Sequence, residues 1–538
     1  PYYGGHGRSD MLTSTYLDLD AFSPTDDVYF SFWIQPEGFG DRPEEIDSLV
    51  LEFRDVNGEW IRQMKFDGIT NGTPSTEKMP FSFHSIHLDN PNFLYNGFQF
   101  RFTNYSTNTG AIDLWHLDYI AINDNRSPSE SFNDLAFTRV PDPIIKEYSS
   151  IPWKHFLAAP DILRDSFTVE MYNHFDKSVI AVSSNYFPSE RVTNTFPLTS
   201  FQPLLDPGQD NIDAQTQLQL TNDIDNFSSF QSNMINNYIG EDSLIFRIDY
   251  SFDQDDEERE ALLNNVVSRT TVFDNYFSYD DGSAETNIIA QNTGTEIGVE
   301  FMAYTEDTIR AVAISFIQVD GLDLTKELFN LKVYIDTLDQ DPDFENILLK
   351  PFLANTVFDT LQGFSTYVLT DQITEDPIAV AVPANTRFYI GLQSASTNEI
   401  PIGFDRNSLD GASKNFVALS TGWFPFPTTH QGAVMIRPIL GDTFPQSTNT
   451  VSIATPDPLT DIIQVYPNPT KGILNFISEA VPFFDLQYDA FNIMGQNIKS
   501  GYLQNELDFS ELVDGIYFLK IRNRKTDELY HHKFMLLR

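Results

Sequence analysis

Cysteine is absent from all 538 residues. Disulfide frameworks, thiolate metal sites and thiol nucleophiles are thereby excluded together. The absence assigns no compartment, because a chain of this length buries enough surface in each domain to fold without cross-links. Positive charge is scarce as well: 33 Lys and Arg face 77 Asp and Glu, a formal charge of −44. Repulsion of that size argues against nucleic acid and anionic lipid as partners. Its ordinary consequence is solubility; its sharper one is a stock of carboxylates able to collect divalent cations. No stretch approaches the roughly 20 apolar residues of a membrane helix, so direct membrane insertion is not expected. The chain begins at Pro1 without a secretory leader; the expectation is that a leader has been removed or that a larger precursor precedes it. Nor is there a His-Glu-x-x-His, a Gly-x-Ser-x-Gly or a phosphate-binding glycine loop. No catalytic residue is assigned, although a triad assembled across a fold leaves no local motif.

What the chain has in quantity is aromatic residues, with 46 Phe and 23 Tyr. That content is incompatible with disorder over most of the length, and both residue types favour strands. Short runs of them alternate with clusters of Asn, Asp, Gly, Pro and Ser, the spacing of β-sandwiches rather than helical bundles. Val28, Phe30, Phe32 and Ile34 share one face of a period-2 pattern, as do Leu49, Leu51 and Phe53, and Phe98, Phe100 and Phe102. Leu244, Phe246, Ile248, Tyr250 and Phe252 repeat it, and so do Phe329, Leu331, Val333 and Ile335. The fold class expected is all-β: several antiparallel β-sandwiches of jelly-roll or immunoglobulin-like kind in a row, plus a small C-terminal β-sandwich. Expected boundaries are 1–138, 139–270 and 271–441 for three sandwiches, 442–461 for a Ser-, Thr-, Pro- and Asn-rich linker, and 462–538 for the last unit. One short helix is expected through Leu262, Leu263 and Val266, after a run of acidic residues.

Few side chains in the body stand out chemically. Asp113 and Asp118 bracket Trp115 on an expected strand and are the candidate ligands for calcium (Ca2+). Five residues apart on a strand, they point to opposite faces, which argues against one shared ion. The competing reading makes Asp113 a turn residue and Asp118 a hydrogen-bond acceptor. Asp280 and Asp281 precede Gly282 and read as an Asp-Gly turn rather than a metal loop. Trp423 lies in the Pro-interrupted run Gly422-Trp423-Phe424-Pro425-Phe426-Pro427, which is hard to bury in a central strand, and is the candidate sugar contact.

The last segment carries a specific series. Val465-Tyr466-Pro467-Asn468-Pro469-Thr470-Lys471-Gly472 sets a rigid extended stretch and then a turn, because the prolines fix φ and Gly472 is permissive. Ala490-Phe491-Asn492-Ile493-Met494-Gly495 follows as a strand ended by a Gly turn, then Asp514-Gly515-Ile516-Tyr517 opens another strand. Residues 520–538 hold Lys520, Arg522, Arg524, Lys525, Lys533 and Arg538 against only Asp527 and Glu528, a locally positive end. This order resembles the type A C-terminal sorting domain of type IX secretion substrates in Bacteroidota. The resemblance implies sorting-signal roles for Tyr466, Pro467, Asn468, Pro469, Gly472, Gly495, Gly515, Ile516, Tyr517 and Lys533. It also implies a secreted or cell-surface location and, as partners, an outer-membrane shuttle, a translocon and a sortase that usually removes the tail. Docking of the basic last strand by strand addition is the expected mode of contact with that machinery.

In the first segment, Phe32-Trp33-Ile34-Gln35-Pro36, Asp47-Ser48-Leu49-Val50-Leu51, Gly97-Phe98-Gln99-Phe100 and Asp113-Leu114-Trp115-His116 together resemble the jelly-roll module of MAM and concanavalin-like lectin domains. That resemblance implies a module lacking its first strands. The function expected first is a non-catalytic binding or adhesion protein with a surface glycan as one candidate partner. A secreted polysaccharide hydrolase with accessory sandwiches, and a stable partner of the translocon, are the alternatives.

Overall fold

The structure is a computed structural model that describes residues 5–38, 40–69, 79–107, 113–124, 126–127, 133–191, 197, 202–205, 208, 210–224, 226–238, 240–254, 264–290, 293–317, 322–338, 340–351, 363–396, 400–419, 421–428, 430–445, 463–468, 470–478, 482–483, 486–492, 497–513, 515–524 and 529–537. It is mostly β, with antiparallel strand pairing throughout the named strands. The chain divides into two compact units: Pro1–Ser129 together with Ser452–Arg538, and Glu130–Val451.

In the first unit the N-terminal residues form two facing sheets. One orders its strands His6–Thr13, Phe100–Thr107, Ser48–Arg54, Trp60–Asp67; the other orders Ser82–His87, Tyr29–Pro36, Trp115–Asn123. Val28, Phe30, Phe32 and Ile34 are all buried, as the alternation requires, and pack against Leu49, Leu51, Phe53, Phe98 and Phe102. Phe30 meets Phe53 at 5.0 Å between ring centroids and Phe32 meets Phe102 at 5.1 Å, both edge-on. Such pairs add about 0.5–1.5 kcal/mol each beyond the area they bury.

The second unit departs from the expected boundaries. Position 138 falls inside the strand Leu135–Arg139, which pairs with Ser166–Asn173. Position 270 falls inside Val266–Phe273, which pairs with Leu244–Asp253. Buried residues on both sides of 270 belong to one cluster: Phe273 meets Trp153, Phe156 and Phe246, and Phe277 meets Phe301 and Phe388. The 139–270 and 271–441 segments therefore share a core. Its largest sheet orders Phe344–Leu349, Phe329–Ile335, Thr386–Ser394, Glu296–Ala303, Asn415–Leu419, Gly422–Pro425. Asp307–Ile314 lies in a second sheet between Ile436–Leu440 and the pair Ser365–Val368 and Val380–Val382. Two α-helices are found among the described residues of this unit, Trp153–Ala158 and Phe227–Asn237, the latter burying Phe230 and Met234 at i, i+4 spacing. In place of the expected short helix, Val266 opens a strand; Leu262 and Leu263 lie outside the described residues.

A buried carboxylate bonded to a histidine and a lysine fixes the first of these helices. His155 Nδ1 accepts the Tyr304 N–H at 3.1 Å, so the ring proton sits on Nε2 and is donated to Asp307 Oδ2 at 2.9 Å. Lys154 Nζ reaches Asp307 Oδ1 at 2.6 Å. Burial holds the His155 pKa below its ordinary value, with Asp307 opposing. Asp307 is itself held low: burial raises it, but hydrogen bonds from His155 and Lys154 outweigh that. A histidine kept neutral by the fold contributes stability that is complete above its unfolded pKa, near 6.5, and is lost progressively as pH falls from there through its lower folded pKa. The urea midpoint of the 130–451 unit is expected to drop between pH 7.5 and pH 5, and to drop less in His155→Gln. Equal drops in the two proteins would remove His155 as the cause.

Candidate functional sites

Two places in the first unit concentrate chemistry: the C-terminal residues and an acidic loop cluster. The C-terminal residues build a core of their own from Ile463, Val465, Leu474, Phe476, Leu486, Tyr488, Leu507, Phe509, Tyr517, Leu519, Ile521, Phe534 and Leu536. One sheet orders Ile463–Tyr466, Ile473–Ser478, Glu506–Asp508; the other orders Asn497–Tyr502, Leu486–Asn492, Gly515–Asn523, Leu529–Leu536.

The motif residues turn out to hold these sheets together. Asn468 donates from Nδ2 to the Lys533 carbonyl and accepts the Met535 N–H at Oδ1, both at 2.8 Å. Thr470 continues the clamp: its N–H donates to the Met535 carbonyl at 2.8 Å, and its carbonyl accepts the Leu537 N–H at 2.9 Å. Gly472 has φ +137°, and a Cβ there would lie 2.8 Å from Ser510 Cα, so no other residue fits without displacing backbone. The Gly472 carbonyl accepts the Phe509 N–H at 2.6 Å. Gly515 opens the strand Gly515–Asn523, in which Ile516 pairs with Met535, and Tyr517 stacks on Phe534 while its hydroxyl donates to the Val513 carbonyl at 2.7 Å. Pro467 sits between Tyr466, whose ring lies 5.1 Å from that of Tyr16, and Asn468. Pro469 and Gly495 lie outside the described residues. Lys533 is exposed, with Arg522 and Arg524.

These contacts bear on strand addition. Main-chain groups at Lys533, Met535 and Leu537, on the outer margin of the last strand, are already bonded to Asn468 and Thr470. The opposite margin of the same sheet is Asn497–Tyr502.

The acidic cluster joins residues far apart in sequence. Glu44, Asp47 and Asp113 each bring a carboxylate oxygen within 4.8 Å of the others, with both aspartates buried and Glu44 exposed. Asp47 caps a tight turn: its Oδ2 accepts the Glu44 N–H at 2.6 Å, its N–H donates to the Glu44 carbonyl at 2.8 Å, and its carbonyl accepts the Gly68 N–H at 2.9 Å. Gly68 is required there, since a Cβ would lie 1.8 Å from the Glu44 carbonyl oxygen. Asp113 has φ +57° just before the strand Trp115–Asn123. Its Oδ2 accepts the Thr107 N–H at 3.3 Å and its carbonyl accepts Asn104 Nδ2 at 3.3 Å. Among the described residues neither Asp47 Oδ1 nor Asp113 Oδ1 has a hydrogen-bond donor, though His6 Nε2 stands 3.3 Å from the former. Burial, then the charges of Asp47 and Glu44, push the Asp113 carboxyl up to about 7.

Asp118 is not part of this cluster. It is exposed on its strand, with Oδ1 accepting the Tyr119 N–H at 2.7 Å, so the expected Asp113–Asp118 pairing gives way to Asp113 with Asp47 and Glu44. Asp113 precedes the strand Trp115–Asn123 rather than lying on it, and nothing local marks its partners some 70 residues upstream. Trp423 lies on the edge strand Gly422–Pro425, half-buried, 6.0 Å from Tyr334 and over Gly298, where an added Cβ would come within 3.0 Å of its ring. Asp281 makes the expected turn, accepting the Ser283 N–H at 2.9 Å, while buried Asp280 pairs with Arg437.

A family model described as "Secretion system C-terminal sorting domain" matches residues 464–536. The tail is a sorting domain. It supports a type IX secretion substrate, and the protein is secreted or cell-surface and engages the type IX machinery through this domain. No helix among the described residues is long and apolar enough to cross a membrane. No curated protein matches the chain. Among solved structures, a "Biofilm associated protein - BSP domain" aligns over 77% of this chain and 84% of that one, at 9% identity and a TM-score of 0.13. A score that low carries no argument.

Since Asn468 holds the backbone groups on either side of Phe534 in the last strand, Asn468→Ala is expected to destabilise the sorting domain by about 1–3 kcal/mol. Limited proteolysis of the full chain should then cut within 463–537 well before the remainder. Retained wild-type resistance would show that the clamp contributes nothing to folding.

Proposed function

We propose that this protein is a non-catalytic binding or adhesion protein, a body of β-sandwiches carried to the cell surface by its tail. An outer-membrane shuttle and translocon handle the folded tail, and a sortase removes it. A surface glycan is the ligand class that fits best, with the N-terminal sandwich as a jelly-roll of the lectin-like kind. The observation that carries this reading is the employment of three buried carboxylates of the 130–451 unit in internal pairs. Asp307 bonds His155, Asp280 bonds Arg437, and Glu296 bonds both Lys332 and the Tyr334 hydroxyl, at 2.9 and 2.7 Å. A general acid or base needs an approach to substrate, and groups consumed this way have none.

Removal of residues 463–538 should leave the body inside the outer membrane, read by cell fractionation and by surface labelling of intact cells. A truncated protein that still reaches the surface would overturn the export half of the reading. Glycan arrays probed with the exported protein should give selective binding without product release. Release of sugar would make it a hydrolase instead.

A further inference from the structure

We propose that Glu44, Asp47 and Asp113 form a calcium site that ties together the two sheets of the N-terminal sandwich. The turn bearing Glu44 and Asp47 leads into Ser48–Arg54, in one sheet, and Asp113 leads into Trp115–Asn123, in the other. One ion held by all three carboxylates would therefore bridge the layers at one end, adding to the hydrogen bonds that Asp113 already makes to Asn104 and Thr107 of the first sheet.

Acidic clusters on a chain of charge −44 are common, and proximity alone means little. What separates this one is the state of its oxygens. Asp405 is another fully buried carboxyl raised to about 7, yet it is saturated, accepting the N–H groups of Asp281, Asn407 and Ser408 at 2.6, 2.7 and 3.0 Å. Asp113 and Asp47 each keep one buried oxygen without a hydrogen-bond donor among the described residues. Leaving such an oxygen unsatisfied is costly, and placing two of them beside a third carboxylate adds mutual repulsion. The nearest positive candidate, His6, is more than a third exposed and approaches only Asp47. A divalent cation removes both penalties together.

The donor set selects the ion. Three carboxylates and no nitrogen or sulfur among them suit a hard cation, and calcium accepts six to eight oxygens in irregular arrangements completed by main-chain carbonyls and water. Magnesium demands a stricter octahedron. The site also differs in kind from a turn that happens to be acidic, because the positive φ of Asp113 and the missing side chain of Gly68 are both needed to bring its members together.

The test uses the full chain, in calcium chloride and in EDTA, reading thermal unfolding and amide exchange of Ser48–Arg54 and Trp115–Asn123. At about a hundredfold excess over its dissociation constant, calcium should raise the N-terminal transition by about 5–10 °C and slow exchange in both strands. Asp113→Asn should abolish the shift, yet be at least as stable as the parent in EDTA, since it removes a repelling charge. That opposite sign distinguishes a cation ligand from a residue that merely supports the fold. Glu44→Gln, altered at an exposed side chain, should fold and show a reduced shift, and Asp118→Asn should keep the full one. The proposal fails if calcium leaves the parent unchanged, if Asp113→Asn is less stable in EDTA and still responds to calcium, or if Asp118→Asn and Glu44→Gln weaken the response equally.

Discussion

Contact between phenylalanine rings across facing sheets is the interaction on which this architecture rests. With no disulfides to limit the unfolded chain and a large negative charge pushing it apart, burial of aromatic surface has to supply the cohesion. Phe30 touches Phe53, Phe100 and Phe102, and thereby links strands of both N-terminal sheets. In the 130–451 unit, Phe273 serves the same purpose, meeting Trp153, Phe156 and Phe246. Aromatic rings suit the task because each strand is short: a few residues per face must bury as much area as possible.

A body built this way has little tolerance for charge in its interior, and the buried acids show how that constraint is met. Arg437 is partly buried and is held by Asp280 while its guanidinium lies 3.9 Å from the centre of the Phe364 ring. Lys332 is buried beside Glu296. Burying an ion pair seldom adds net stability over an apolar pair of the same shape, but removing one partner is severe. These pairs therefore act as registers: Asp280–Arg437 and His155–Asp307 each join segments more than 150 residues apart, and neither pairing survives a slipped strand.

The sequence made the class of fold plain and left its grouping hidden, for one physical reason. Alternation reports which face of a strand is buried, as Leu244 to Phe252 do in full, but it does not say against what. The 139–270 and 271–441 segments each alternate like an independent sandwich; only Phe246, Phe273, Phe277 and Phe301 in contact reveal a common core. The helix Phe227–Asn237 escaped because Ser and Asn dominate it and its stability comes from docking Phe230 and Met234. The candidate site was half legible in the same sense. Asp113 could be picked out beside Trp115, whereas Asp47 and Glu44 reach it only through the packing of two sheets.

The tail presents the reverse case, since its motif was legible in full while the motif's meaning was not. Tyr466 to Gly472 reads locally as an extended stretch with a turn, a description that would suit a linear epitope. In the structure Asn468 and Thr470 bind the backbone of the last strand, Gly472 admits Ser510 against its own backbone, and Tyr517 lies on Phe534. The recurring elements of the series are thus the two ends of single contacts. They keep their order because one without the other leaves a buried group unmet or a strand unclamped. In the folded domain these residues are the supports of a surface, from which Lys533 and Arg522 face outward.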